Sequence, residues 1–183
     1  MKLKNERIIF HIDVNSAFLS WEAAYRLKHL GGSLDIRNIP SAVGGDISKR
    51  HGIILAKSIP AKKYNIQTGE PVTDALKKCP GLYLVPPNYS LYEKNSNAMM
   101  DILREYSPSV EIYSIDEAFM DMTGMEAMCG HPIQAAVGIK DRIRDELGFT
   151  VNVGVSSNKL LAKMASDFRK PDLVHTLFPW EIR

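Results

Sequence analysis

Three acidic residues carry the most pointed chemistry in this chain: Asp13, just past a short apolar run, and the adjacent pair Asp116 and Glu117. Carboxylates that converge repel one another unless a cation neutralises them. Mg2+ suits such a place, because it takes oxygen ligands, accepts one or two protein carboxylates, and fills its remaining positions with water and phosphate. Two such ions about 4 Å apart can activate an attacking hydroxyl and stabilise a leaving pyrophosphate. Each acid also has a plainer explanation. Asp13 suits the cap of a following helix, and Asp116-Glu117 suits a polar turn, where neighbouring carboxylates stay solvated. Pattern alone leaves both readings open.

Other residues fit phosphate chemistry with less weight. Gly154 and the run Ser156-Ser157-Asn158 precede a helix whose start carries Lys159. Helix N-termini attract phosphates, and a lysine there adds a point charge. Ser157 or Asn158 is equally an ordinary N-cap, and Lys159 an ordinary surface residue. Between Ile47 and Gly69 lie Lys49, Arg50, Lys57, Lys62 and Lys63 with no acid among them. That stretch reads as an anion-holding strip or as a solvated basic face. Phe18 sits one turn into the first helix, where core packing is its default role.

The elements that must position these residues follow from apolar spacing. RIIFHI (7–12) reads as a buried strand, and Asn15 or Ser16 can cap a helix carrying Phe18, Trp21 and Tyr25 that ends at Gly31-Gly32. Residues 34–87 change texture, with short strand-like pieces (IILA at 53–56, LYLV at 82–85) and a helix between Pro71 and Pro80-Gly81. This stretch reads as an insertion. Beyond it come a helix from about Ser90 with Met99, Ile102, Leu103 and Tyr106 on one face, then a tight hairpin of Val110–Ile115 and Ala118–Met122. A helix opened by Pro132, a half-buried strand of Val151, Val153 and Val155, and a helix over 158–168 complete the chain. Without the insertion the order is strand, helix, strand, strand, helix, strand. The expected fold class is therefore α+β, a split βαββαβ (ferredoxin-like) antiparallel sheet with helices on one face. In that topology the first strand lies beside the hairpin, so Asp13 and the acidic pair can meet at one sheet edge.

Composition narrows the class without naming it. A chain of 183 residues that is 45% hydrophobic and 24% charged, with net charge +2, is ordinary globular material. No apolar run approaches the roughly 20 residues a bilayer span needs, and the start has neither the length nor the cleavage site of a signal peptide. Cys79 and Cys129 make neither a disulfide framework nor a zinc pattern. The expected setting is cytoplasmic, with no membrane partner.

Longer strings are more specific. IIFHIDVNSAF (8–18), YSIDEAFMDMTG (113–124) and VNVGVSSNKLLAKMASDFRKP (151–171) closely resemble three motifs of the Y-family translesion DNA polymerases, in the family's order. IYSIDEAFMDMTG and PNYSLYEKNS (87–96) lean toward the UmuC/ImpB-like branch, and VGGDISKRHGIILAKS (43–58) toward DinB. The resemblance implies a catalytic palm over 1–33 and 88–183 and a small fingers subdomain over 34–87. It implies a DNA-directed DNA polymerase that extends a primer on a template with deoxynucleoside triphosphates, serving translesion synthesis and repair. Asp13 and Asp116 would hold two Mg2+ ions (Mn2+ substituting), with the backbone carbonyl of Val14 completing one shell. Glu117 would be the third acidic metal residue, bridging or orienting at the primer 3′-hydroxyl. Phe18 would be the steric gate against a ribose 2′-hydroxyl, and Lys159 would touch the triphosphate.

The insertion departs from the family pattern. Ile59 and Lys62 stand where many members carry a Tyr and an Arg that grip the triphosphate, and Ala56 where a Thr is frequent. Lysine supplies charge without arginine's bidentate fork. Full-length members continue into a thumb and a C-terminal DNA-gripping domain, near which a sliding-clamp segment usually lies. The chain ends at PWEIR, so it reads as a catalytic fragment, weakly active or inactive by itself. Two rivals remain: a non-catalytic nucleotide-binding or partner-docking module, and a palm-fold nucleotidyl cyclase. A cyclase would need a GGDEF-type hairpin, whereas this hairpin reads SIDEA and the GGD at 44–46 lies in the insertion.

Overall fold

The computed structural model describes residues 6–45 and 52–182. In chain order these form β1 (Ile9–Val14), α1 (Ala17–His29), β2 (Ser41–Gly44), β3 (Ile54–Lys57), α2 (Ile59–Lys62), α3 (Val72–Lys78) and β4 (Tyr83–Val85). There follow α4 (Tyr89–Tyr106), β5 (Val110–Ile112), β6 (Glu117–Asp121), α5 (Glu126–Cys129), α6 (Pro132–Leu147), β7 (Val151–Ser156), α7 (Lys159–Ser166) and β8 (Val174–Thr176). The chain divides into two compact units. One comprises the residues up to Asn15 and those from Glu93 onward; the other is Ser16–Tyr92.

The first unit is built on a sheet ordered β5-β6-β1-β7-β8. β1 runs antiparallel to both β6 and β7, and β5 antiparallel to β6. This is the split βαββαβ order, with the first strand between the hairpin and the last strand of the repeat. Two features differ from the expectation. β8 adds to the edge of β7 in parallel, so the sheet is mixed rather than antiparallel. The helices also take both faces.

Alternation along β1 and β7 shows how. Ile9, with Phe119, packs on Ala162 of α7, and the His11 ring meets Ser166 of the same helix. Gly154 lies so close to α7 that its missing side chain is what admits the helix. Val151, Val153 and Val155 point the opposite way and are fully buried, on the side of α6, whose Ala136, Ile139 and Ile143 are buried as well. β7 is therefore buried at all six positions rather than half-buried. A helix on each face leaves no solvated side.

Local chemistry explains the two helices that matter. Pro132 opens α6 with its preset φ, and Gly148 closes it at φ 84 with its N–H on the Arg144 carbonyl. Asn158 caps α7, its side-chain oxygen accepting from the Leu161 N–H at 2.9 Å.

In the second unit a small sheet ordered β3-β2-β4 packs over Ala42, Ile54, Ala61, Ile66, Val72, Ala75, Cys79 and Leu82. α1 belongs to this unit, with Leu19, Trp21, Ala23 and Ala24 buried. Its expected cap does not form: Ser16 holds the N-cap position at φ 47 with no side-chain bond to the helix. Asn15 is engaged elsewhere, accepting from the Thr150 hydroxyl at 2.9 Å and the Asp172 N–H at 3.1 Å.

Candidate active site

β1 carries Asp13 to its C-terminal end, where it stands directly opposite Glu117 of β6 on one side and Asn152 of β7 on the other. Cross-strand partners on adjacent antiparallel strands project to the same face. Asp13, Glu117 and Asn152 thus share the face on which α7 lies. Asp116 precedes β6 in the hairpin turn, pinned through its backbone: its carbonyl accepts the Val14 N–H at 3.0 Å. The Ser114 hydroxyl donates to Asp116 Oδ1 at 2.8 Å and lies 3.4 Å from Glu117 Oε2, tying the two acids together. The three acidic residues therefore lie at one end of the β1–β6 pair.

The segment from α7 onward supplies the charge they face. The Lys170 ammonium pairs with Asp13 Oδ2 and, at 3.0 Å, with Asp167 Oδ1. The Lys163 ammonium pairs with Glu117 and lies 4.8 Å over the Tyr113 ring. Burial raises the pKa of Asp13, Lys170 opposes that shift, and the Glu117 and Asp116 charges add to it. Burial would lower Lys170, but its bonds to Asp13 and Asp167 hold it above the ordinary lysine value. The same balance, with Glu117 as partner, raises Lys163.

His11 lies two residues before Asp13 on the same face and is fully buried. Its Nδ1 is 2.7 Å from the Ser166 hydroxyl oxygen, and that hydroxyl donates its own proton to the Lys163 carbonyl at 2.8 Å. Nδ1 is therefore the donor, and Nε2, 3.4 Å from Glu117 Oε1, carries a bare lone pair with no hydrogen-bond partner among the described residues. Burial, reinforced by Lys163, lowers the His11 pKa to about 4, so at neutral pH the contact with Glu117 is not an ion pair.

The pH dependence follows with a definite sign. The unfolded chain takes up a proton near the ordinary 6.5 while folded His11 resists it down to about 4. His11's stabilisation is thus complete above about pH 6.5 and is lost as pH falls through about 4, up to roughly 3 kcal/mol. Asp13, raised rather than lowered, acts in the opposite sense, so the quantity to read is the difference between wild type and His11→Asn. Urea unfolding at pH 7 and pH 4.5 should show a larger acid loss in wild type than in the variant. Equal losses would mean that His11 is not held neutral.

The remaining residues fall as follows. Val14 ends β1 opposite Val151. Lys159 begins α7, exposed, with its ammonium on Glu111 and 5.5 Å over the Phe119 ring rather than on the three acids. Phe18 is half-buried on α1, and Lys62 is exposed at the end of α2, with Ile59 exposed at its start. Of the basic stretch, Lys49 and Arg50 lie outside the described residues. Lys57 has its pKa lowered by burial and by Lys62. Gly44 ends β2 in the small sheet, and Asp46 lies outside the described residues.

Sequence reasoning missed Lys163, Lys170 and His11. Lys163 stands one helical turn past Lys159, and His11 shares the period-2 face of Asp13, so both were open to discovery from spacing. Lys170 reaches Asp13 across 157 positions of chain, which no local pattern reveals.

Among the described residues no group of three or more His, Cys, Asp or Glu side chains is placed to hold a metal ion. The oxygen donors of Asp13, Asp116 and Glu117 are of the type a divalent cation takes. Three carboxylates at one strand end draw in two ammonium groups, which stand where positive charge is required. No helix among the described residues is long and apolar enough to cross a membrane.

These features define an α+β protein on a split βαββαβ sheet with an acidic strand end under a lysine-bearing helix. The chain belongs to the impB/mucB/samB family, whose profile matches residues 12–167. It is 54% identical over 181 residues to DNA polymerase IV of Clostridium acetobutylicum, covering 97% of this chain and 44% of that protein. It is 43% identical to DNA polymerase IV of Acetivibrio thermocellus, covering 92% and 41%. Among solved structures, DinB from Sulfolobus solfataricus superposes with a TM-score of 0.83 at 29% identity, covering 96% of this chain and 49% of that one. An insertion ternary complex of Dbh DNA polymerase gives 0.82 at 29%, covering 96% and 50%. The chain spans less than half the length of these curated relatives.

Proposed function

We propose that this chain is the catalytic portion of a DNA-directed DNA polymerase for translesion synthesis and repair, adding deoxynucleotides to a primer 3′-hydroxyl on a template strand. The observation that carries the reading is Asp13 set opposite Glu117, beside Asp116, with Lys170 and Lys163 neutralising the acids. Residues 1–33 and 88–183 act as the palm and 34–87 as the fingers. Asp13, Asp116, Glu117 and the Val14 carbonyl would hold the metal, with Glu117 also orienting the primer end. Mg2+, or Mn2+ in its place, would supply the positive charge that activates the 3′-oxygen and stabilises the leaving pyrophosphate.

The chain's own residues do the rest. Lys170 and Lys163, released from the acids, are within reach of a triphosphate entering the same place, where compact ammonium charges offset its oxygens. Lys159 and Lys62 would add further positive charge for the triphosphate. Phe18 guards the sugar. Primer–template DNA and the deoxynucleotide are the substrates, and a sliding clamp would be met through parts of the polymerase outside this chain. The work is cytoplasmic.

The test is a titration of Mg2+ and dATP into the chain and two variants. Wild type should bind dATP only with Mg2+, and Asp13→Ala should lose that dependence. Lys170→Met removes the ammonium that competes with the cation, so Mg2+ alone should bind several-fold more tightly while dATP binds more weakly. Nucleotide binding indifferent to Mg2+ and to Asp13 would replace the polymerase reading by a non-catalytic docking module.

A further inference from the structure

Glu22 is a buried carboxylate that the proposed chemistry does not use. It is 4% exposed on α1, and placing a carboxylate there is costly unless its oxygens are satisfied. One oxygen is: Tyr92, itself fully buried, donates its hydroxyl to Glu22 Oε1 at 3.0 Å. The other lies 3.9 Å from Arg26 Nε, one turn further along the helix.

What Tyr92 does with this anchor is visible from its ring. It stacks almost flat on Phe18, with centroids 4.5 Å apart and planes 11° apart. Trp21 packs against the Tyr92 ring at 5.8 Å, and Tyr89 meets both Phe18 and Tyr92 edge-on at 6.2 and 5.8 Å. Phe18 and Glu22 are four residues apart on α1 and so share one helix face. Tyr92 is therefore held at two points. Its hydroxyl is tied to Glu22, and its face supports Phe18.

We infer that Glu22 is a positioning residue for sugar selection: by anchoring the Tyr92 hydroxyl it stiffens the ring on which Phe18 rests. The inference rests on the reading of Phe18 as the gate against a ribose 2′-hydroxyl. A steric gate discriminates only as far as its ring refuses to yield. A 2′-hydroxyl pressing on Phe18 drives it toward Tyr92, and Tyr92 can retreat only by breaking the bond to Glu22. Without that bond the stack remains but becomes compliant, and a ribonucleotide fits at lower cost.

The experiment compares dATP and ATP binding to the 183-residue chain with primer–template and Mg2+, in wild type and four variants. Phe18→Ala should erase most of the preference for dATP. Glu22→Leu and Tyr92→Phe should each lower it about tenfold, the scale of one hydrogen bond to a charged group. Glu22→Gln, whose amide oxygen still accepts from Tyr92, should stay within about twofold of wild type. A merely structural defect would weaken both nucleotides alike and would not be rescued by glutamine. If Glu22→Leu fails to fold, Tyr92→Phe, which keeps the stacked rings, carries the test. An undiminished preference in Tyr92→Phe, alongside its loss in Phe18→Ala, overturns the role of Glu22 and leaves the gate standing. An unchanged preference in Phe18→Ala, or no nucleotide bound at all, overturns the gate and the inference together.

Discussion

Alanine at Asp116 should lower Mg2+-dependent primer extension by at least about a thousandfold, the cost of removing a group that holds charge at the reacting centre, with little loss of fold. The two effects separate because the fold uses only the backbone of this residue, whose carbonyl accepts the Val14 N–H at 3.0 Å. Among the described residues its side chain is bonded by nothing larger than the Ser114 hydroxyl. Asp13 and Glu117 are less clean targets, because each is ion-paired with a lysine from α7 or the segment after it, so substituting either also disturbs a salt bridge. The measurement is single-turnover extension of a primed template by the full-length polymerase that carries this portion, beside a urea melt of each variant. Extension undiminished in Asp116→Ala would end the assignment. A loss of extension matched by a loss of stability would move Asp116 from the chemistry to the fold.

Much of this arrangement can be read from local sequence, and its limits are physical. β1 announces itself as a continuous apolar run because a central strand with a helix on each face has no solvated side. The hairpin is equally plain, since Val110–Ile112 and Glu117–Asp121 are joined by a few residues. β2 and β8 escape detection for opposite reasons. Ser41–Gly44 is buried at every position and so lacks alternation, while Val174–Thr176 is three half-buried residues at an edge. At the site, the carboxylates were visible as residue types, but their counter-charges were not. Lys163 and Lys170 reach Glu117 and Asp13 only because α7 crosses the β1 face, and that crossing is decided by a single small residue in β7.

That residue is Gly154, and Gly154→Ala should destabilise the chain by at least about 3 kcal/mol, beyond ordinary overpacking because backbone atoms cannot rotate away. An added Cβ would stand 1.9 Å from the Ala162 carbonyl oxygen and 2.6 Å from the Ser166 nitrogen. Both belong to α7, so the helix must lift as a body. Lifting it breaks more than packing. Asn152 Nδ2 donates to the carbonyls of Ser166 at 3.0 Å and Arg169 at 2.6 Å, and His11 Nδ1 donates to Ser166 Oγ at 2.7 Å. Those bonds fix the end of α7 from which Lys170 reaches back to Asp13, so the variant should lose the ion pair along with the packing. Gly138, on the exposed face of α6 with open space where a Cβ would go, is the matched control. Gly138→Ala should leave stability unchanged or raise it by up to about 1 kcal/mol, the helix preference for alanine. Urea midpoints of the two variants then isolate contact from composition. A Gly154→Ala chain as stable as the Gly138→Ala chain would mean that α7 does not lie on β7, and the lysines could not then be the partners of Asp13 and Glu117.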